Sequence, residues 1–178
     1  MIRLSELHYS LKTECAAIMD FKRGDFVVFP LHGAGVISEI KQNVIDGETK
    51  DFYMIDLPYG NLHLMVPASQ SGGTGLRPVI SPKEIENVLE YIRTSEVLSQ
   101  DPNWNKRQRD QLELMKTGDI YRIIDVYKYL ALREKTKTLS SGEKKMFVSA
   151  KKILFSEIQL ASGMEKEEVE TMIGRCLA

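Results

Sequence analysis

Ser81-Pro82-Lys83-Glu84 is the stretch that decides the fold, because the texture of the sequence changes there. Ser as an N-cap, Pro at the first helical position and Glu three residues on form a capping box, the signature of a helix start. Before it, apolar residues come in short runs broken by turn residues. After it, they recur every three or four positions. The chain therefore reads as α+β in two domains. A strand-built domain covers 21–80 and an all-α domain covers 81–178, with 1–20 as an extension.

Upstream of the boundary, five short strands are predicted. Asp25–Phe29 is a β-rich run ended by Pro30, and His32-Gly33-Ala34-Gly35 is a turn whose glycines allow positive φ or close backbone approach. Gly35–Gln42 is strand-like, and Asp46-Gly47 is a hairpin signal. Phe52–Leu57 is the return strand, and Pro58–Asn61 turns into a run where Leu62, Leu64 and Val66 alternate with His63 and Met65. After a polar, Gly-rich loop, Leu76–Ile80 closes the region. Strands this short and evenly spaced predict a small antiparallel barrel. In the extension, Leu4, Leu7, Leu11, Cys15 and Ile18 fall at helical spacing, which predicts a short amphipathic helix, packed on the body or mobile.

Downstream, only helix patterns occur. Ile85, Val88, Leu89 and Ile92 line the first helix. A second runs through Trp104 to about Lys116 and stops at Thr117-Gly118. Asp119 caps a third, lined by Ile120, Ile123, Ile124, Tyr127 and Leu130. Ser140-Ser141-Gly142-Glu143 is a capping box opening a fourth, with Met146, Phe147, Ala150, Ile153 and Leu154 inward. Gly163 ends it, and Val169, Met172, Ile173 and Cys176 line the last. Short links between them predict a compact bundle of about five helices.

The formal net charge is −1, but it is unevenly spread. From Trp104 to Lys152 there are 13 cations against 6 anions, a local excess of +7, and this points to an anionic partner for that block. The two cysteines, Cys15 and Cys176, lie far apart without metal-ligand spacing and fit reduced cytosolic thiols. The N-terminus carries no continuous apolar stretch of the signal-peptide kind, and no run reaches the roughly 20 residues of a membrane span. Phosphate-loop, zinc-protease and nucleophile-elbow motifs are absent, and His8, His32 and His63 have no partner at a recognisable spacing. We expect no enzyme and no cofactor; an unrecognised site around His32 is the weakest alternative.

The only tryptophan, Trp104, stands in Asp101-Pro102-Asn103-Trp104-Asn105-Lys106-Arg107-Gln108-Arg109. Asp101 as N-cap and Pro102 at the first helical position put Trp104 in the first turn. A lone Trp in a helical domain is most often core, and Trp104 shares a broad face with Leu112 and Met115. Gln108 and Gln111 interrupt that stripe. A flat apolar ring beside Lys106, Arg107 and Arg109 suits a nucleic-acid backbone with a groove or base next to it.

Over Phe21–Ala178 the chain resembles the CarD family of bacterial transcription regulators. The resemblance rests on Lys22–Pro30 followed by His32–Val36, on Val66-Pro67 and Gly75–Pro78, and on Asn103-Trp104 with the basic residues after it. Thr117-Gly118-Asp119 and Leu139–Met146 complete it. It implies a Tudor-like barrel that binds the β subunit of RNA polymerase, a domain shared with the transcription-repair coupling factor. It also implies a helical domain on promoter DNA, with a Trp in the minor groove at the upstream edge of the melted bubble, favouring the open complex. Carried over, the wedge is Trp104 and its basic partners are Lys106, Arg107 and Arg109; Lys144 and Lys145 are expected to bind DNA with them. The polymerase-binding positions fall on Asn43 and Met65, where some members carry arginine. A cytoplasmic, nucleoid-associated monomer with no membrane partner follows. The alternative reading is a barrel-plus-helix protein that binds RNA or the ribosome, with Trp104 stacked on an exposed base.

Overall fold

In Phe26-Val27-Val28-Phe29 both central valines are fully buried. Successive side chains of a strand point to opposite faces, so this strand must be covered on both sides. The computed structural model describes residues 20–45, 47–97 and 103–177. The strands are β1 (Phe26–Phe29), β2 (Gly33–Ile45), β3 (Glu48–Leu57), β4 (Leu62–Pro67) and β5 (Arg77–Pro78). They pair antiparallel in the order β4-β3-β2-β1-β5. The helices are α1 (Glu84–Thr94), α2 (Trp104–Lys116), α3 (Ile120–Thr136), α4 (Ser141–Ser162) and α5 (Lys166–Cys176). The two-part α+β architecture is as expected. The pairings form a ladder with β4 and β5 at its ends, and among the described residues no β4–β5 pairing closes it into a ring.

Val27 faces the sheet's own core, with Ile37, Tyr53, Ile55, Leu57 and Val66. Val28 and Ala34 belong instead to the core of the helices, with Ile153, Leu154 and Ile158 of α4. The core of the helices thus extends across α4 onto β1 and β2, and the sheet keeps a separate core on its other face. The expected turn at His32–Gly35 needs correcting: the turn is Phe29–His32, closed by the His32 N–H on the Phe29 carbonyl at 3.1 Å, and Gly33 already belongs to β2. The two glycines are strand residues where nothing larger fits. A Cβ on Gly33 would lie 2.9 Å from the Ser156 hydroxyl, and one on Gly35 would strike the Asp56 carbonyl.

This seam is hydrogen-bonded as well as packed. The Ala34 N–H donates to Ser156 Oγ at 2.9 Å. Arg77 grips Glu157 with both terminal guanidinium nitrogens, at 2.5 and 2.8 Å, and its Nε donates to the Gly118 carbonyl at 2.7 Å. The Ile80 N–H donates to the same Glu157 carboxylate at 3.2 Å. Glu157 is fully buried, and such a charge is tolerable only when paired and hydrogen-bonded.

Helix starts follow the sequence with two shifts. At Ser140 both halves of the capping box form, Asp119 accepts the Tyr121 N–H at 2.9 Å, and Gly163 ends α4 in the left-handed region. At Ser81 only half of the box forms. Glu84 reaches back to the Ser81 N–H at 2.9 Å, but the Ser81 hydroxyl donates to that carboxylate at 3.1 Å rather than capping a backbone N–H. The residues between are a turn, and the helix begins at Glu84. The second shift is at α2, below. The expected helix within 1–20, with Cys15 and His8, lies outside the described residues, as does Asp46 of the hairpin, whose ladder closes at Ile45 and Glu48.

Candidate nucleic-acid interface

The second helix starts later than its sequence suggests. Its N-cap is Asn103, whose side chain accepts the N–H groups of Asn105 and Lys106 at 3.0 and 3.3 Å. Asp101 and Pro102 lie outside the described residues. Asn and Asp are nearly equivalent caps, so the shift follows from having two candidates two residues apart. Trp104 is consequently the first residue of α2, and it is 44% exposed.

Trp104 has a seat as well as an open face. A Cβ at Gly142 would lie 2.7 Å from Gln108 Nε2 and 3.7 Å from the Trp104 ring edge. The indole therefore rests against the first turn of α4 at a residue without a side chain, with the Gln108 amide beside it. Gln111, which the sequence suggested as an interruption of the apolar face, is 1% exposed. Met115 is buried below it and Leu112 faces solvent.

Behind this seat is Glu143, 4% exposed. It accepts the Ser140 N–H at 2.9 Å and lies 3.0 Å from Arg133 Nε and 3.5 Å from Arg107 Nη2. Burial pushes its carboxyl up, but the bonds from Ser140 and the charges of Arg133 and Arg107 outweigh burial and hold it below the ordinary carboxylate range. Arg107 is itself only 8% exposed. Of the cations expected to meet DNA, it is the one whose guanidinium turns inward, onto the α4 cap.

The others face outward. Lys106 and Arg109 are exposed on α2, three residues apart and hence on one side of the helix. Lys144 and Lys145 are exposed in the early turns of α4. Several other cations of the block are paired within the protein, one of them buried. Lys128 is buried and donates to the Ile92 and Ser95 carbonyls at 2.7 and 2.5 Å, satisfying the end of α1. Arg122 pairs with Asp125, Lys116 with Glu113 and Lys151 with Glu170.

Asn43 and Met65 come together on the sheet. The Asn43 amide nitrogen is 3.8 Å from the Met65 sulfur, and Met65 is half exposed. Met65 is on β4, at one end of the ladder, and the tip of the β2–β3 hairpin beyond Asn43 exposes Val44 and Ile45. His63 and Asp56 stand on the same outer face at 2.6 Å. His32 is a loop residue, its Nδ1 2.9 Å from the Pro30 carbonyl oxygen. Among the described residues no group of His, Cys, Asp and Glu is arranged to hold a metal ion, and no helix is long and apolar enough to cross a membrane.

Residues 21–80 match the family model of the CarD-like/TRCF RID domain, and residues 87–174 match that of the CarD C-terminal domain. The chain belongs to the CarD family. It is also 29% identical over 154 residues to YdeB of Bacillus subtilis (strain 168), a candidate transcription factor by name, covering 85% of this chain and 98% of that protein. This is a family of transcription factors and not of enzymes, as the sequence led us to expect, and transcription regulation is the activity it carries.

Nothing in the spacing of residues indicates that Gly142 and Glu143 support Trp104. The capping box was legible, but its contact with α2 is a matter of tertiary packing. Leu31, at φ 64°, was also missed. It follows a Pro within a turn, where the positive-φ position is normally Gly or Asn.

Proposed function

We propose that this protein binds the β subunit of RNA polymerase through the β4 edge and the outer face carrying Asn43 and Met65. Its helical half then holds promoter DNA at the upstream edge of the melted region, so that the open complex lasts longer. The observation that carries this reading is Trp104: half exposed, seated on Gly142, and flanked by outward cations on two helices. Lys106, Arg109, Lys144 and Lys145 neutralise phosphates without regard to sequence. The ring enters the minor groove, where unstacked DNA accepts an apolar wedge at less cost than intact duplex does. Binding the melted state better than the closed one shifts that equilibrium, with no bond made or broken by the protein. Arg107 acts from inside by fixing the α4 cap against α2.

The sheet contributes the second attachment. An edge strand binds a partner by main-chain pairing, with side chains setting the choice. Met65 beside Asn43 makes that contact less charged than an arginine would, and Met adapts to an irregular surface. Two modest contacts on one chain reinforce each other through effective concentration. A monomer working in the cytoplasm on the nucleoid is sufficient.

The test is paired. Trp104→Ala shortens the open-complex lifetime while costing under about 1 kcal/mol of stability, as surface changes do; a buried core Trp would cost about 3–5 kcal/mol. Met65→Glu weakens capture of the β subunit while the fold and the DNA contact persist. A normal lifetime with a stable Trp104→Ala protein overturns the wedge, and wild-type capture by Met65→Glu moves the polymerase contact elsewhere.

A further inference from the structure

Beside Trp104 a groove of about 510 Å³ opens between α2 and α4, within the usual range of small-molecule sites. Its apolar wall is made by Leu31, Leu112, Met115 and Met146, and Arg109 and Lys145 stand at it from the two helices. Asn105 and Gln108 add amides, and Gly142, on which the Trp104 ring edge rests, is part of the same wall. One wall residue is placed at a backbone cost. Leu31 holds φ 64°, an uncommon conformation for a residue with a side chain, and thereby reaches from the sheet half to the helices.

Resting on the reading of Trp104 as a DNA wedge, we infer that this groove receives one unpaired base of the melted strand next to the ring. A nucleotide matches the groove in each of its parts. The base offers flat apolar faces to Leu112 and Met146, with polar edges for the amides of Asn105 and Gln108. Its flanking phosphates meet Arg109 and Lys145. A free acidic peptide would use the cations and leave the apolar wall unfilled, and an apolar peptide would leave the cations without counter-charge. A base drawn into the groove is withheld from re-pairing, so the groove traps what the wedge separates.

The experiment uses the full chain with RNA polymerase and a promoter in which a tetrahydrofuran abasic residue replaces one unpaired nucleotide at a time along the upstream bubble edge. Open-complex lifetime is measured with and without the protein. At one position the intact base prolongs the protein-dependent lifetime about tenfold over the abasic residue, the size expected from burying roughly 55 Å² of apolar base surface. Ser149→Phe and Leu112→Trp fill the groove from opposite walls, and in whichever folds, by circular dichroism and melting, that ratio falls to about one. In Trp104→Ala the overall lifetime drops but a base-dependent ratio remains. No position with more than a twofold ratio overturns the groove, as does a ratio unchanged by both filled variants, or one abolished by Trp104→Ala alone, which would put the base on the indole. A protein that prolongs no open complex at all overturns the wedge reading itself, a result distinct from these.

Discussion

The seam between sheet and helices and the rim around Trp104 use the same residue types for opposite ends. At the seam, Arg77 is spent on a fully buried Glu157 and on the Gly118 carbonyl. At the rim, Arg109 and Lys145 face solvent along an open groove. Arg107 is between the two in character: it sits in the rim's sequence yet is turned onto a buried carboxylate. For these three arginines and the lysine at the rim, the role follows from whether a carboxylate is buried within reach. The contrast makes a definite claim: seam substitutions cost stability, while rim substitutions cost DNA affinity and leave stability nearly intact.

The largest effect belongs to the seam. Glu157→Ala strands the Arg77 guanidinium and leaves the Ile80 N–H without its acceptor. Breaking a buried pair by removing one partner costs about 3–5 kcal/mol. The lower end applies here, because the Arg77 side chain is 24% exposed and can be partly rehydrated. Denaturant melting measures it, and a loss under about 1 kcal/mol would mean that the seam is held by packing alone.

A smaller loss is expected at Glu143, which borders both regions. Glu143→Gln gives up the charge on Arg107 and Arg133 and weakens the α4 cap, about 1–2 kcal/mol at neutral pH. The pH dependence has a definite sign. The folded carboxyl titrates below its ordinary value of 4.5, so the unfolded chain takes up a proton first on acidification. The stabilisation is complete above the ordinary value and is lost as pH falls through the folded one. Wild type and Glu143→Gln should therefore converge in stability below pH 4.5. A gap that stays constant into acid would remove Glu143 from the charge network.

Much of this was legible in the chain. The apolar stripes assigned to α1, α3, α4 and α5 are buried or packed against the core, because 3.6-residue periodicity reports a local face. Asp119, Ser140 and Gly163 mark ends through bonds made within a few residues. What escaped is long in range. Ala34 meets Ser156 across 122 positions, and Arg77 meets Glu157 across 80. One signal was available: Glu157 interrupts the run Ile153-Leu154-Phe155-Ser156-Glu157-Ile158, and all six residues are buried. A charge inside such a run implies a partner from another element. Lys128 in the α3 stripe carried the same message. At the rim, spacing alone could not separate Arg107 from Lys106 and Arg109, since the inward turn depends on where α4 begins.

The smallest effect on stability and the sharpest on binding come from the rim cations. Arg109→Glu and Lys145→Glu each change an exposed residue, so melting should move by no more than about 0.5 kcal/mol. Each lost phosphate contact releases one fewer bound cation from the DNA. The slope of log affinity against log salt for the polymerase–promoter complex should thus flatten by about one unit per residue. Arg107→Met is the counterpart from the same helix: it should lose stability with the Glu143 pairing and leave the salt slope where it was. If instead Arg107→Met flattens the slope while Arg109→Glu does not, the inward and outward roles are exchanged, and the division between seam and rim fails at the residue where it is most exposed to test.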